Sequence, residues 1–104
     1  MTGGARGIGR GIAELMIARG HRVVVSDVDA AAVAATAAEI GAVAGLVHDV
    51  RDPDAHRAVA EEAARHAPLT VWFNNAGVGD DGSLVALADE QVRRLVEVNF
   101  LGTM

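Results

Sequence analysis

A glycine-rich segment near the start of the chain, TGGARGIG at residues 2–9, restricts the possible folds more than any other feature. Its glycines follow the spacing GxxxGxG, and apolar residues recur at helical spacing over residues 8–16. The segment predicts an anion-binding turn: Gly3 makes the turn, Gly7 lets a pyrophosphate approach, and Gly9 allows close helix packing. The start of the helix adds free N–H groups and a positive dipole end. A glycine-rich turn without a ligand remains the alternative.

After this segment, strand-like and helix-like patterns alternate. Short apolar runs predict strands at residues 21–26, 42–48 and 69–73, and a loop is expected at 74–88. Helical patterns predict helices at about 8–19, 30–40, 53–66 and from 89 onwards. Valine runs without polar alternation are typical of strands buried on both faces. The chain is therefore predicted to be α/β, with a Rossmann-type doubly wound parallel sheet in three layers.

Several residues mark the ends of these helices. Asp29 and Asp52 are suited to cap helix N-termini, and Pro53 fits the first helical position. Gly20 and Gly41 fit the position just past a helix end.

The glycine-rich turn of such a sheet follows a strand, but only Met1 and Thr2 precede it here. That strand normally lies at the centre of the sheet, so its loss would leave two neighbouring strands without a hydrogen-bonding partner. We therefore expect residues 1–104 to be one partial NAD(P)-binding Rossmann domain of a protein that extends upstream.

Composition argues against several other classes of protein. The formal net charge is −5 and no block of consecutive basic residues occurs, so nucleic acids and anionic membranes are poor partners. The chain has no cysteine, and its four histidines lack paired ligand spacing, so no metal site is expected. No apolar run approaches the ~18 residues of a membrane span, and no signal peptide is evident. A cytoplasmic protein is expected.

Asp27 is the second residue that points to a dinucleotide. It ends the predicted strand about 20 residues after the glycines, where an acid in such folds receives the adenosine ribose. Its carboxylate would accept hydrogen bonds from the ribose hydroxyls and repel a 2′-phosphate, which favours NAD over NADP. Arg6 argues in the opposite direction, because a basic residue in the loop could pair with that phosphate. Asp27 could also be an ordinary turn residue or helix cap.

Two further groups of residues follow predicted strands, at the edge where ligands gather. Asp49, followed by Val50, could accept a hydrogen bond from the adenine amino group or could cap the next helix. The segment NNAG at residues 74–77 could pin neighbouring loops and line a cleft, or could form a plain Asx turn.

Together these motifs resemble the short-chain dehydrogenase/reductase family over essentially the whole chain, from TGGARGIG through Asp27, Asp49-Val50 and NNAG to VNF at residues 98–100. The resemblance implies an NAD(P)-dependent oxidoreductase that transfers a hydride between nicotinamide and a carbonyl or alcohol carbon. It implies dinucleotide contacts that include Ile8 of the turn, ribose contact at Asp27, and adenine contact at Asp49 and Val50. Asn75, Ala76 and Gly77 would border the nicotinamide, and Asn99 resembles the active-site asparagine. Asn99 could instead be an amide inside a helix that merely kinks it.

The family's catalytic serine, and the tyrosine with a lysine four residues later, find no match. The chain contains no tyrosine and no lysine, and Ser83 precedes Asn99, so it does not correspond to the family serine. A truncated dehydrogenase is therefore favoured. A non-catalytic dinucleotide-binding or regulatory module is the alternative, and a sugar-nucleotide epimerase is disfavoured by the glycine spacing and NNAG.

The resemblance also implies partners. The substrate would be a small alcohol or ketone, and the full-length protein would be a homodimer or homotetramer that packs the helix beginning near Asp89 against its symmetry mate. Leu95 and Phe100 could serve that interface or pack within the subunit.

The missing catalytic residues lead to a prediction for the isolated polypeptide of residues 1–104. It should have no dehydrogenase activity, because it lacks the acid that protonates the substrate. It should also bind NAD weakly or not at all. Assays with generic alcohols and ketones test this, and measurable turnover would contradict it.

Overall fold

The computed structural model describes residues 1–83 and 85–104, and the predicted loop at 74–88 therefore includes one residue outside the described part. Four α-helices and two β-strands are found in the described residues. They are α1 (Gly7–Ala18), β1 (Val24–Asp27), α2 (Ala30–Ile40), β2 (Ala44–Val47), α3 (Pro53–His66) and α4 (Asp89–Asn99), followed by a 3₁₀ turn at Leu101–Thr103.

The two strands are parallel, with Val24 opposite Ala44 and Asp27 opposite Val47. Thr2 forms a parallel bridge with Ser26 on the other edge of β1. The helix α2 forms the crossover connection between the two parallel strands β1 and β2, as expected for an incomplete Rossmann-type sheet. The predicted fold class is confirmed.

The prediction of a third strand at residues 69–73 is wrong, because this segment does not pair as a β-strand of the sheet in the structure. Thr2 lies between it and β1, and the Thr2 amide donates to the Phe73 carbonyl at 3.1 Å. On the other side, the Met1 carbonyl accepts from the Ser26 amide at 2.9 Å. Met1 and Thr2 are thus the segment's link to the sheet, and two residues are too few to make a ladder along five.

The predicted helix ends at α2 and α3 are confirmed. The Asp29 carboxylate accepts from the Ala32 amide at 3.0 Å, and Gly41 ends α2 in the left-handed region with φ 75°. The Asp52 carboxylate accepts from the Asp54 amide at 2.9 Å at the start of α3. No helix among the described residues is long and apolar enough to cross a membrane.

Small side chains let the helices pack closely on the sheet. The buried cluster consists of Ala5, Ala13, Val25, Val33 and Ala37. It joins the glycine-rich loop and α1 to α2 across one face of β1. Ser26 points to the opposite face, because side chains alternate along a strand.

Gly45 in β2 marks the closest approach of α2 to the sheet. A Cβ at this position would lie 2.8 Å from the Ala37 Cβ and 2.8 Å from the Val33 carbonyl oxygen. Gly45→Ala should therefore lower the free energy of unfolding of the full-length protein by about 1–3 kcal/mol through overpacking. Gly11→Ala is the matched control: apart from its chain neighbours and the backbone of α1, no described heavy atom lies within 4 Å of its Cβ position. It should raise stability by about 0.5–1 kcal/mol through helix propensity. Equal urea midpoints for the two variants would contradict the packing described here.

Candidate functional site

A cleft of about 630 Å³ opens where the glycine-rich loop meets the carboxyl ends of β1 and β2, the NNAG segment and α4. This volume is in the usual range for a small-molecule site. The lining includes these residues predicted from the sequence: Gly3, Arg6, Ile8, Gly9, Asp27, Asp49, Val50, Asn75, Ala76 and Gly77. Two predicted site residues, Gly7 and Asn99, are not part of the lining. The cleft also includes Val28, His48, Arg51, Val78, Arg94 and Val98, which were not assigned to the site from the sequence.

The glycines of the loop are required for different physical reasons. Gly3 has φ 62°, and a Cβ there would lie 2.8 Å from the Ala76 Cα. Gly9 faces the Gly3 carbonyl and the Asn75 side chain so closely that a Cβ would overlap both. Gly7 has φ 54°, and apart from its chain neighbours and the backbone of α1 no described heavy atom lies within 4 Å of its Cβ position. Glycine is thus needed at Gly7 for its backbone conformation and at Gly9 for close packing.

The Asp27 side chain is hydrogen-bonded to the glycine-rich loop. One carboxylate oxygen accepts from the Ala5 amide at 3.1 Å, and the other accepts from the Asp29 amide at 3.3 Å. These two bonds hold the carboxylate at the strand end and beside the loop. Each oxygen retains further acceptor capacity, because a carboxylate oxygen has more than one lone pair.

Arg6 is paired within the protein. Its Nη2 lies 2.7 Å from the Asp29 carboxylate, and 70% of its side-chain surface is exposed. The pKa of Asp29 is lowered mainly by the hydrogen bond from the Ala32 amide and further by Arg6. The positive charge of Arg6 at the edge of the cleft is therefore partly neutralised by Asp29, the residue that caps α2.

Asp49 does not cap α3, so that alternative from the sequence is wrong. Its carboxylate instead accepts four hydrogen bonds from Arg51, one from the backbone amide at 3.0 Å and three from the guanidinium at 2.6–3.1 Å. The Arg51 guanidinium lowers the pKa of Asp49 to about 2. Asp52 serves as the cap because it directly precedes α3, three residues beyond Asp49.

Val50 is buried, and its carbonyl lies 2.8 Å from the His56 Nε2 of α3. Gly102 packs against its side chain, since a Cβ there would come within 2.7 Å of the Val50 Cγ2. The backbone of Val50 is thus fixed from α3, and its side chain is fixed from the 3₁₀ turn.

Thr2 is a junction residue that sequence reasoning missed. Its Oγ1 accepts from the Asn75 and Ala76 amides, at 3.0 Å each, and donates to the Phe73 carbonyl at 3.2 Å. The Asn75 Nδ2 donates to the Thr2 and Gly3 carbonyls, both at 3.1 Å. Asn75 therefore pins the glycine-rich loop to the NNAG segment. The available signal was a residue able to donate and accept, placed directly before the first glycine.

Asn99 is the last residue of α4, and Phe100 and the 3₁₀ turn follow it directly. Its Oδ1 accepts from the Val78 amide and its Nδ2 donates to the Val78 carbonyl, both at 2.8 Å. The Gly77 Cβ position lies 3.3 Å from the Asn99 Oδ1. The side chain therefore fixes the loop after NNAG to the end of α4.

His48 lies under the cleft with 3% of its surface exposed. Its Nδ1 shares a hydrogen bond of 2.9 Å with the Ser26 Oγ, and its Nε2 has no partner among the described residues. The His56 ring meets it edge-on, with 4.6 Å between ring centroids. Burial lowers the pKa of His48, and the nearby His56 lowers it further.

A parallel sheet with a glycine-rich turn at its carboxyl edge and an acid at the end of the next strand defines a Rossmann-type α/β domain. The family model described as short chain dehydrogenase matches residues 1–104. The chain therefore belongs to the short-chain dehydrogenase family, whose members are oxidoreductases that bind NAD(P).

Similar curated proteins cover the whole chain. It is 40% identical over 106 residues to a sorbitol dehydrogenase of Cereibacter sphaeroides, matching 100% of this chain and 41% of the relative. It is 33% identical over 106 residues to a galactitol 2-dehydrogenase of Agrobacterium fabrum, with the same coverage. It is 32% identical over 104 residues to a 3-oxoacyl-[acyl-carrier-protein] reductase of Rattus norvegicus, matching 98% of this chain and 44% of the relative. The chain thus spans less than half the length of these relatives.

The buried His48 predicts a pH dependence of stability. Below its ordinary pKa of 6.5 the ring binds a proton in the unfolded state. The folded state resists that proton, so the free energy of unfolding should fall as pH drops from about 7.5 to 5.5, by at most about 1.4 kcal/mol per pH unit. Urea unfolding of the full-length protein measures this slope.

His48→Asn is the matched variant for this test, because an amide can replace the Nδ1 contact to Ser26 and does not titrate. Its slope over the same pH range should be shallower than that of the wild type. An equal slope would show that another group causes the effect.

Proposed function

We propose that the cleft binds NAD(H), and that the protein containing this chain transfers a hydride between the nicotinamide and a carbonyl or alcohol carbon of a small substrate. The observation that carries the cofactor proposal is the position of Asp27, held by the Ala5 amide against the loop that leads into α1. An acceptor for sugar hydroxyls and a helix start suited to phosphates thus lie side by side.

The described residues fit such a cofactor. The first N–H groups of α1 have no partner inside the helix and would bind the pyrophosphate. Gly3 and Gly9, which leave no room for a Cβ, keep the loop close to Asn75, and Ile8 offers an apolar side chain that is 77% exposed. When bound, the nicotinamide supplies the hydride chemistry, and the protein supplies binding and orientation.

The preference for NAD over NADP is part of the proposal and follows from charge. Asp27 would receive the ribose hydroxyls and repel a 2′-phosphate. Arg6, which could attract that phosphate, is paired with Asp29 at 2.7 Å. A phosphate would have to compete with that carboxylate for the guanidinium.

The nicotinamide contacts, the source of the catalytic acid, the assembly and the substrate class are also proposals. Ala76 and Gly77, fixed by Thr2 and Asn99, would border the nicotinamide, and Asn99 would support a proton relay through its backbone. The chain has no tyrosine and no lysine, so acid catalysis would come from residues outside these 104. We further propose a cytoplasmic homodimer or homotetramer acting on an alcohol or ketone.

Coenzyme titration of the full-length protein tests the cofactor proposal. NADH should bind at least about tenfold more tightly than NADPH, because a carboxylate that pairs with hydroxyls is worth ~1.5–3 kcal/mol per bond. Asp27→Asn should narrow or reverse this ratio, since the amide can still accept from Ala5 but no longer repels a phosphate. Dissociation constants from fluorescence titration measure both.

Asp54→Asn is the control, because Asp54 is an exposed acid on α3 that does not line the cleft; its side chain is 86% exposed. Its coenzyme ratio should equal that of the wild type. A wild-type preference for NADPH would refute the NAD assignment, and failure to bind either coenzyme would refute the function itself.

A further inference from the structure

Thr36 is a buried hydroxyl residue inside α2, with 3% of its surface exposed. A threonine inside a helix commonly faces solvent or donates to the carbonyl four residues earlier in the same helix. The Thr36 Oγ1 instead donates to the carbonyl of Ala5 in the glycine-rich loop, at 2.6 Å. Thr36 does not line the cleft. Any effect of this hydroxyl on the cleft must therefore pass through the loop.

The Ala5 carbonyl depends on this hydroxyl. Ala5 is 5% exposed, and among the described residues Thr36 supplies the hydrogen bond to its carbonyl oxygen. A buried carbonyl without a donor is costly, so a carbonyl that lost this partner would turn toward another donor. The nearest candidates along the chain are the amides at the start of α1. Gly9 lies four residues after Ala5, which is the spacing of a helical hydrogen bond.

The amides at the start of α1 are open to a ligand. The first hydrogen bond of the helix runs from the Arg10 amide to the Arg6 carbonyl, at 3.2 Å. Arg6 stands at the cap position and provides no side-chain acceptor. In the part of the chain that the structure describes, the amides of residues 7–9 have no hydrogen-bond partner. The carbonyl best placed to occupy one of them is the carbonyl that Thr36 holds.

We propose that Thr36 is a positioning residue for the coenzyme: its hydroxyl holds the Ala5 carbonyl away from the start of α1 and so keeps an amide there available to the pyrophosphate. This inference rests on the proposed NAD(H) function. Asp27 accepts from the Ala5 amide at 3.1 Å, but that amide and the Ala5 carbonyl belong to different peptide groups. The hydroxyl therefore acts on phosphate binding and leaves the ribose contact of Asp27 in place.

Thr36→Val in the full-length protein tests this role, because valine has nearly the same shape and lacks the hydroxyl. The Kd of NADH and the Kd of NADPH should each rise about tenfold, which is the size expected for one lost amide–phosphate hydrogen bond. The ratio of the two Kd values should stay at the wild-type value. Thr36→Ser keeps the hydroxyl, so both Kd values should return to within about twofold of the wild type. Fluorescence titration measures all of them.

Gly45→Ala is the control for a general loss of packing around α2. A Cβ at Gly45 would press on Ala37 of this helix, and Gly45 does not line the cleft. The substitution disturbs α2 but leaves the Thr36 hydroxyl in place, so both Kd values should equal those of the wild type. An equal loss of affinity in Gly45→Ala and Thr36→Val would overturn the proposal in favour of a loosened helix.

The outcomes distinguish this inference from the proposed function. Normal affinity for both coenzymes in Thr36→Val would overturn the positioning role and leave the cofactor assignment intact. A changed ratio of the two Kd values would also overturn it, because the effect would then pass through Asp27. No binding of either coenzyme by the wild type would overturn both proposals.

A second variant keeps the inference testable if Thr36→Val fails to fold, as shown by a lost urea transition. Thr36→Cys then takes its place and is compared with Thr36→Ser, which has a similar shape. A thiol is a weak donor, so the Kd of NADH should be at least about threefold higher for the cysteine variant than for the serine variant. Equal Kd values for these two variants would overturn the proposal.

Discussion

The site depends on a contact between backbones at which side chains are almost absent. Gly3 lies against the Ala76 backbone and Gly9 lies against the Gly3 backbone, at distances that leave no room for a Cβ on either glycine. Asn75 and Thr2 fill the remaining space with hydrogen bonds to these backbones. Close packing and full hydrogen bonding support each other here, because a buried backbone amide without a partner is costly. The start of α1 and the NNAG segment are held in fixed relation by this junction.

Local physical signals predicted much of the fold. Asp29, Asp52 and Gly41 act at the helix ends where their side chains or conformations suit them. The order of strands and helices predicted a parallel α/β sheet, and the structure confirms it. These features depend on a few consecutive residues, so they can be derived from the sequence without knowing what lies across the fold.

The errors have the opposite character. Residues 69–73 have the composition of a strand, but a strand also needs a neighbour to pair with, and Met1 and Thr2 provide only two residues. The sequence could not decide whether Asp49 capped α3. The outcome depended on Asp52, which takes the cap position, and on Arg51, which binds the Asp49 carboxylate. The role of Thr2 could not be predicted either, because its hydrogen-bond partners are about seventy residues away in the sequence. Asp27, Asp49 and Asn75 line the cleft as predicted, because ligands gather at strand ends, which is a rule of topology. That rule did not identify Val28, Arg51 or Arg94, which line the cleft as well.

The charges of the cleft show how partial neutralisation can create selectivity. Arg6 is paired with Asp29, and Arg51 is paired with Asp49. Among the described residues, Asp27 forms no ion pair and is held by backbone amides. The two paired arginines therefore contribute little net field, whereas Asp27 keeps its charge a short distance from the positive end of α1. A dinucleotide with phosphates at the helix and a neutral ribose at the acid suits this separation of charge, and an added phosphate at the ribose opposes it.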